Sequence, residues 1–576
     1  MLDRDLRRAL AYVTPHWRRL ALVLVLSLTG TALTLYVPFL SKSLVDRALL
    51  GRDASALVRI VLIFSGITVA SFILNVVSGL RYTRVSAEIL FEMRLDLYRH
   101  LQRLSPRFYA HMPLGQIVSR INSDIGEIQR VAAEVALAWV GNVLFLAGST
   151  AMLLYLDARL FLLSIAVLPA AIWALVRYRR QLEGAVAVVR DRSAGIGTFL
   201  IETLQGMRLV VGSNAQGREV DRFRERNDAF IGSLMNMQRL TYFSGGLPGL
   251  FLAAGTAAVF LYGGSRVIEG TLTMGTLVAF IAYQMRLLGP VQALMALYAS
   301  IATARVSLRR VQEILDAPVD VLEAPQPVAL PRARGHLAFD DVSFTFGRGS
   351  PVLERFGLEV SGGEVVALVG SSGGGKSTIA DLLVRQLDPD GGRIMLDGQD
   401  VRTLRLADVR RHVVVVDQDP FILNASVGEN IRYARPDASE ADIAKAARAA
   451  GLAELIKRLP QGFATNVGER GRALSAGERQ RIGIARAFLA DAAVLVLDEA
   501  TGALDPATEA QVVAGYQAVM HGRTTLVITH RFELARLADR VVVLENGRSI
   551  EQGSADELLA RGGAFARLFA RLQPIG

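Results

Sequence analysis

Long apolar runs dominate the first half of the chain and disappear from the second half. Six stretches of membrane-spanning length precede residue 300, and none follows it. We place them at Leu20–Leu40, Ile60–Leu80, Val135–Leu156, Leu160–Val176, Phe243–Leu261 and Gly275–Leu297. Each, the short fourth one together with its flanks, can cross a hydrocarbon core of about 30 Å. A soluble helical core explains any single run, but six in series predict a domain of six transmembrane helices.

The placement of arginine predicts the orientation of this domain. Arginines are concentrated before the first span and in the two long connections, at 81–130 and 177–239, whereas the third and fourth spans are joined by Asp157-Ala158-Arg159 alone. Because basic loops stay in the cytoplasm, we expect the N-terminus, both long connections and the second half of the chain on that side. The charged, amphipathic start favours a cytoplasmic surface helix over a cleavable signal.

Both long connections keep helical periodicity, so they are expected to continue the membrane helices outwards. About 25 residues out and 25 back would carry them about 35–40 Å from the membrane. The predicted reversals are at Pro106, Pro113 and Gly115, and at Gly206 and Gly212. Arms of this length are expected to touch a partner in the cytoplasm.

The pattern changes after a proline-rich stretch without periodicity. We predict a transmembrane domain at 1–315, a linker at 316–335 and an α/β domain at 336–576, where short β-rich runs alternate with helices. Composition agrees: 51% of the 576 residues are hydrophobic, 20% are charged and none is cysteine. The net charge of +10 suits anionic lipid or nucleic acid. With six spans, we expect a lipid bilayer and no nucleic acid as partner.

A phosphate-binding loop follows the buried strand VVALVG. The segment GSSGGGKST fits the pattern G-x-x-x-x-G-K-[ST] between a strand and a helix. Its backbone N–H groups and the helix N-terminus would bind the phosphates of ATP, with Lys376 on the outer phosphates and Ser377 on Mg²⁺. The predicted ATP-binding residues of this loop are Gly370, Ser371, Ser372, Gly373, Gly374, Gly375, Lys376, Ser377 and Thr378.

A second buried strand, AVLVLDE, ends in two carboxylates. Asp498 is predicted to hold Mg²⁺, and Glu499 to act as the general base that polarises the attacking water. A helix cap is the alternative for a lone aspartate, and the preceding phosphate loop argues against it. The sequence therefore indicates an ATPase.

Between these motifs, LSAGE at 474–478 resembles the signature LSGGQ of ATP-binding cassette (ABC) proteins. Other cassette motifs match in order. Gln418 resembles the Q-loop glutamine, a further Mg²⁺ and nucleotide ligand; Ala503-Leu504-Asp505 resembles the D-loop; His530 resembles the catalytic switch histidine; Phe346 occupies the place of the adenine-stacking aromatic residue. Six spans followed by one cassette resemble a type IV (exporter-fold) half-transporter over the whole chain.

The resemblance implies a dimer that alternates between inward- and outward-facing states. Ser475 and Gly477 of one copy would close over the ATP of the other, and the arm tips near Ser105–Gly115 and Met207–Gln216 would be coupling helices, the second docking on the partner's cassette. Two residues depart from the signature. Ala476 replaces glycine, and Glu478 replaces glutamine and is expected to add a carboxylate where triphosphate arrives.

Several functions remain open at this stage. We predict export by a homodimer in the bacterial inner membrane; an exporter-fold importer, for example of siderophores, and the active half of a heterodimer are the alternatives. An intact Glu499 and His530 argue against an ATP-gated channel, and six spans against a soluble ABC ATPase. Substrate identity is not encoded in these motifs. Arg286, in the middle of the sixth span, is expected to face the translocation cavity with Tyr283 one turn away, where both could hold an anionic group. The alternative for Arg286 is an interhelical hydrogen bond to backbone beside the Gly289-Pro290 break.

Overall fold

The computed structural model describes residues 4–131, 135–347, 349–371, 373–498 and 506–570, which form two compact units. The first unit holds residues 1–101 and 114–316, and the second holds 102–113 and 317–576. Up to residue 315 the helices are α1 Arg4–Val13, α2 Trp17–Ser43, α3 Ala54–Leu101, α4 Pro106–His111, α5 Leu114–Ser119, α6 Ile125–Arg130, α7 Ala136–Leu156, α8 Ala158–Ile165, α9 Leu168–Gln205, α10 Met207–Gly212, α11 Gln216–Ile268, α12 Met274–Arg286 and α13 Leu288–Leu315.

Among the described residues of the first unit, six helical segments are long and apolar enough to cross a membrane, which confirms the six predicted spans. They are Leu10–Leu49, Ala54–Leu101, Leu137–Leu156, Ala158–Gln205, Gln216–Ile268 and Met274–Leu297. The helices α3, α9 and α11 run on far beyond their apolar windows, as the periodicity of the long connections predicted. The helix α11 alone has 53 residues, which is about 80 Å of continuous helix.

Proline explains the two places where a predicted span is broken. The fourth span is interrupted after α8, and Pro169 lies in the first turn of α9, the one part of a helix that tolerates its missing N–H. The sixth span is interrupted between α12 and α13 at Leu287. There Pro290 cannot donate the hydrogen bond that would otherwise reach the carbonyl of Arg286.

Charged side chains tie the spans together at one end. The Asp157 carboxylate caps α8 by accepting a hydrogen bond from the Leu160 N–H at 2.9 Å, and its other oxygen pairs with Arg266 at 2.5 Å. Asp46, after the first span, accepts hydrogen bonds from the backbone N–H of Gly275 at 2.8 Å and from the Thr273 hydroxyl at 2.7 Å. The first span is thereby fastened to the sixth, and the fourth to the fifth.

The second unit is an α/β domain, as predicted. Its strands are β1 Leu337–Thr345, β2 Pro351–Val360, β3 Val365–Gly370, β4 Gly391–Leu396, β5 Gln399–Asp400, β6 Val413–Val416, β7 Val494–Asp498, β8 Thr524–Ile528, β9 Arg540–Glu545 and β10 Arg548–Gly553. Its further helices are α14 Lys376–Leu383, α15 Leu406–His412, α16 Val427–Arg432, α17 Glu440–Ala449, α18 Ala453–Arg458, α19 Ala476–Ala490, α20 Pro506–Met520, α21 Phe532–Ala535, α22 Ala555–Ala560 and α23 Ala564–Ala570.

Two sheets build this unit. One has the strand order β2-β1-β4-β5, and the other has β10-β9-β3-β8-β7-β6. In the larger sheet β9, β3, β8, β7 and β6 run parallel, and β10 is an antiparallel edge. A buried apolar cluster that includes Leu337, Phe356, Val366 and Leu382 joins the two sheets. Because the central strands are parallel, the loops that follow them meet along one edge of the sheet.

The proline-rich stretch after Asp316 packs against the second unit. The Val328 N–H donates to the Thr403 carbonyl at 2.9 Å, and the Leu330 N–H donates to the Asp408 carboxylate at 3.0 Å. The Leu330 side chain is buried in the core of the unit. This part of the predicted linker is therefore an ordered extension of the α/β domain.

The tip of the first long arm also belongs to the second unit. The Ser105 hydroxyl donates a hydrogen bond to the Asp320 carboxylate, just before α4 begins. The tip of the second arm, α10, belongs to the first unit and leaves Met207, Leu209 and Val211 exposed.

Candidate nucleotide-binding site

The phosphate loop connects β3 to α14, and glycine is required at both of its ends. A side chain at Gly370 would place its Cβ 2.2 Å from the carbonyl oxygen of Leu544 on the neighbouring strand β9. Gly375, directly before α14, has a φ of +93°, in the left-handed region that other residues avoid. The chain can therefore turn sharply from strand to helix, as a loop that binds an anion with its backbone N–H groups requires.

Lys376 lies inside the curve of this loop. Its side chain is 5% exposed, and its ammonium group donates to the carbonyl oxygens of Gly370 at 3.1 Å and Ser371 at 2.8 Å. Ser377 is exposed and Thr378 is buried. Gly373 and Gly374 are in the described part of the loop, whereas Ser372 lies outside the described residues.

Carboxylates are concentrated beside the loop. Asp498 ends β7, two strands away from β3. Burial and the negative charges of Asp417 and Asp498 raise the pKa of Asp381, on α14, to about 6. Burial and the charge of Asp498 also raise the pKa of Asp417. The site therefore accumulates negative charge that a bound cation would neutralise.

The sequence analysis did not single out Asp381 or Asp417. Two signals were present: Asp417 directly precedes Gln418, and Asp381 lies four residues after Ser377 on the same face of α14.

A metal ion here would need ligands beyond carboxylates. Among the described residues, no three His, Cys, Asp or Glu side chains form a group that could hold a metal ion by themselves. Mg²⁺ prefers six oxygen ligands and commonly takes one or two carboxylates together with substrate phosphates. Asp498, the Ser377 hydroxyl and the Gln418 side-chain oxygen are donors of this chemical type, so the residues present fit Mg²⁺ bound together with ATP.

The remaining motifs follow neighbouring strands. Gln418 is exposed in the turn after β6, and its backbone carbonyl accepts a hydrogen bond from the Gln480 side chain of α19 at 3.1 Å. His530 is half-buried, two residues past β8. The strands β3, β8, β7 and β6 are adjacent and parallel, so the phosphate loop, His530, Asp498 and Gln418 all emerge at the same edge.

Phe346 is positioned separately, just past β1 in the other sheet. It is 44% exposed and packs edge-to-face on Phe344, with ring centroids 4.9 Å apart. A flat face open to solvent suits stacking on a base. The predicted general base Glu499 and the D-loop at 503–505 lie outside the described residues.

The Glu478 carboxylate, predicted to lie where triphosphate arrives, is bound within the start of α19. Ser475 and Glu478 form a capping box at the start of α19: the Ser475 N–H donates to the Glu478 carboxylate at 2.8 Å, and the Glu478 N–H donates to the Ser475 hydroxyl at 3.3 Å. The other Glu478 oxygen pairs with Arg458. Glu478 is 7% exposed, whereas Ser475 and Ala476 are exposed and Gly477 is buried. The Glu478 carboxylate thus stabilises the first turn of α19.

The structure separates the two residues predicted to share a substrate-binding face. Arg286 lines a cavity of about 910 Å³ in the first unit, together with polar side chains that include Thr34, Asn75 and Asn142. Tyr283 is fully buried, and its hydroxyl donates to the carbonyl oxygen of Leu35 at 2.5 Å. Tyr283 therefore joins the first span to the sixth and is absent from the lining of this cavity.

The capping box predicts a graded effect of substitution at Glu478. Burial opposes ionisation, but the Ser475 N–H and Arg458 outweigh it and lower the pKa of Glu478. Glu478→Ala should cost about 2–3 kcal/mol of stability, and Glu478→Gln, which keeps the box, less than about 1 kcal/mol. Thermal unfolding of the purified chain in lipid measures both.

The same pair of variants tests the charge. Since the folded pKa is depressed, the contribution of the carboxylate is present above the unfolded glutamate value of about 4.3 and is lost as pH falls through the folded value. The difference between wild type and Glu478→Gln should therefore shrink in acid. A Glu478→Ala chain as stable as wild type would contradict the structural role.

Comparison with known proteins agrees with this arrangement. Residues 20–291 match the family model of the ABC transporter transmembrane region, and residues 353–502 match the ABC transporter model. The uncharacterized ABC transporter ATP-binding protein YknV of Bacillus subtilis (strain 168) is 33% identical over 97% of this chain and 93% of its own length. The ATP-dependent lipid A-core flippase of Syntrophus aciditrophicus (strain SB) is 33% identical over 98% of this chain and 93% of its own length.

A further relative and a solved structure are also similar to this chain. The putative multidrug export ATP-binding/permease protein YgaD of Bacillus subtilis (strain 168) is 32% identical over 98% of both chains. The structure of a bacterial Atm1-family ABC exporter with ATP bound superimposes with a TM-score of 0.79 and 29% identity, covering 97% of this chain and 99% of that one. This chain belongs to the ABC transporter family and is an ATP-driven membrane transporter with the exporter fold.

Proposed function

We propose that the chain exports an amphiphilic substrate across the bacterial inner membrane as a homodimer. The observation that carries the proposal is the presence of both halves of an ATP site on one chain. The phosphate loop, Asp498, His530 and Gln418 emerge at one sheet edge, and the exposed start of α19 presents the signature residues Ser475 and Ala476. Two copies can then complete two equivalent sites without a second gene product.

Each residue has a defined role in ATP hydrolysis under this proposal. Lys376 and the loop N–H groups bind the phosphates, and Phe346 stacks on the adenine. Ser377, Gln418 and Asp498 would hold Mg²⁺, which would neutralise phosphate charge. Glu499 accepts the proton of the attacking water, and His530 donates a hydrogen bond to the γ-phosphate. Ser475 and Gly477 of the second copy close the site, where the N-terminus of a 15-residue helix favours anions.

Surface features of the two units support dimerisation through exchanged arm tips. The α10 tip leaves Met207, Leu209 and Val211 exposed. Separately, the second unit has a groove of about 660 Å³ whose lining includes Phe421 and Tyr433, which are 64% and 69% exposed. Exposed apolar side chains of this kind mark interaction surfaces. We propose that α10 of one copy docks in this groove of the other.

Export and an amphiphilic substrate are supported by the relatives and by the membrane cavity. Curated relatives carry the names lipid A-core flippase and multidrug export protein. The cavity of about 910 Å³ combines apolar walls with hydroxyl and amide groups and the cation of Arg286. A molecule with an apolar body and an anionic group fits this lining. We propose that the substrate enters from the cytoplasmic side, which is the side on which the nucleotide-binding domain is predicted to lie.

Glu499→Gln should abolish turnover and preserve ATP binding, because the base is lost and the phosphate cradle remains. General-base catalysis contributes about 10²–10⁴-fold, so less than about a tenth of the wild-type rate is expected. Phosphate release and ATP-analogue binding by purified chain in lipid measure the two properties. Glu545→Gln, an exposed glutamate at the end of β9, is the matched control and should keep the wild-type rate.

Site-directed cross-linking tests the homodimer, and the lack of native cysteine keeps the background clean. Two differently tagged copies, one with Leu209→Cys and the other with Phe421→Cys, should form a mixed disulfide on oxidation. Pairing Leu209→Cys with Leu559→Cys, also an exposed leucine, should give none. Failure of the first pair to cross-link, together with ATPase activity that appears only with another subunit, would establish the heterodimer instead.

Thiol accessibility distinguishes the two residues of the sixth span. Arg286→Cys should react with a water-soluble maleimide in at least one nucleotide state, because residue 286 lines the cavity. Tyr283→Cys should stay unreactive, because residue 283 is fully buried. Mass spectrometry after labelling measures both. An unreactive residue 286 in every nucleotide state would remove Arg286 from the substrate pathway.

A further inference from the structure

A second cavity lies among the membrane helices and is distinct from the one lined by Arg286. Its volume is about 130 Å³, and its lining comes from α7, α8, α9, α11, α12 and α13. Most of the lining side chains are apolar, among them Phe161, Phe251, Leu252 and Val291. No residue is shared between the two linings.

Gln284 brings a carboxamide into this mostly apolar lining. It is 0% exposed, and among the described residues neither its side-chain nitrogen nor its side-chain oxygen has a hydrogen-bond partner. A Cβ at Gly255, another lining residue, would lie 3.5 Å from the Gln284 nitrogen, so the carboxamide reaches across to α11. An unpaired amide in a buried apolar site is costly, and it is usually paired by some group.

The position of Gln284 limits where a hydrogen-bond partner for its side chain can come from. The residue lies near the middle of the span Met274–Leu297, where the bilayer offers no hydrogen-bonding groups. Two residues at about 100° each separate it from Arg286, so the two side chains leave the helix on different faces. A partner for Gln284 must therefore come from within this second cavity.

The walls and the carboxamide together define the chemistry of an occupant. An engineered apolar cavity of about 150 Å³ stays dry and binds benzene, so a cavity of this size suits a small ring or a short hydrocarbon. The carboxamide offers two N–H donors and one carbonyl acceptor. Thr150 and Ser164 add hydroxyl groups to the lining, and none of the lining residues carries a formal charge. A charged molecule would lack a counter-ion here.

Part of the cavity lining is exposed on the surface of the membrane helices. Two residues of the lining, Ile165 and Ile172, are 40% and 48% exposed, and both lie in the candidate span Ala158–Gln205. They flank the break between α8 and α9, where the helical backbone is interrupted. A molecule dissolved in the hydrocarbon can approach the cavity at this point.

We propose that this cavity is an intramembrane binding site for a small uncharged molecule, namely a ring or short hydrocarbon bearing one hydroxyl, amide or carbonyl group that pairs with Gln284. The site is separate from the transport cavity and from the nucleotide site. Its walls come from the third to the sixth spans, so an occupant contacts four of the spans at once.

Fluorine NMR with two probes tests the site on the full chain in lipid nanodiscs. The probe 4-fluorophenol carries the hydroxyl and is uncharged at pH 7, and fluorobenzene is the matched probe without it. We expect saturable binding of 4-fluorophenol above the level of empty nanodiscs, competed by phenol. Fluorobenzene should bind about fivefold more weakly, which corresponds to about 1 kcal/mol for one hydrogen bond.

Two variants distinguish the contribution of the Gln284 hydrogen bond from that of the cavity volume. Gln284→Met keeps the length of the side chain and removes its donors and acceptor, so the preference for 4-fluorophenol over fluorobenzene should disappear. Gly255→Val adds methyl groups to the cavity and should weaken both probes alike. Its Cβ meets Gln284 and Val167 at 3.5 Å, an ordinary contact, so the variant is expected to fold. Size-exclusion profiles and thermal unfolding check that both variants are intact.

Two results would overturn the proposed binding site. Wild-type chain that binds neither probe above empty nanodiscs would show that water or nothing occupies the cavity, and the proposal would be overturned. A preference for 4-fluorophenol that persists in Gln284→Met, with Gly255→Val unchanged, would place the phenol elsewhere and overturn it equally.

Discussion

Hydrocarbon supplies no hydrogen-bond partners, so each backbone N–H and C=O that crosses the bilayer must be paired within its own helix. The first unit is built around this requirement. Its spans are helical throughout most of their length, and the fourth and sixth are interrupted next to Pro169 and Pro290, where proline removes a donor. The same helices carry on past the apolar windows as arms, because a helix once nucleated gains a hydrogen bond with each added residue. The bilayer thus requires each span to be helical, and helix propagation extends these helices into the arms.

A different constraint organises the second unit. Parallel strands deliver their following loops to one edge, so residues separated by more than 150 positions in the chain, such as Lys376 and His530, emerge side by side. Glycine is needed where the loop passes β9 closely, and burial of the surrounding carboxylates raises the pKa of Asp381 and Asp417. Negative charge gathered at this edge suits a site that receives a metal ion together with ATP.

The sequence predicted what depends on periodicity and motif spacing. The spans, the arms and the order of the cassette motifs depend on short-range patterns, and these agree with the structure. Side-chain direction could not be predicted in the same way. The Glu478 carboxylate is held at the start of α19 because the Ser475 N–H and Arg458 bind it, and Arg458 is distant in sequence. Tyr283 does not line the cavity because its hydroxyl donates a hydrogen bond to the Leu35 carbonyl, a contact between the first and sixth spans. Asp381 was missed for the same reason, since its charged neighbours come from other strands.

The hydrogen bond from Gln480 to the backbone of Gln418 has a consequence for how two nucleotides influence each other. Gln480 belongs to α19, which begins with the signature motif. Gln418 lies in the turn after β6, at the same sheet edge as the chain's own phosphate loop. In the proposed dimer these two elements would face different ATP molecules. A shift of the helix caused by one nucleotide would then displace a predicted ligand of the other. Thermodynamic linkage makes such coupling reciprocal, so nucleotide at either site would change the affinity of the other site by the same factor.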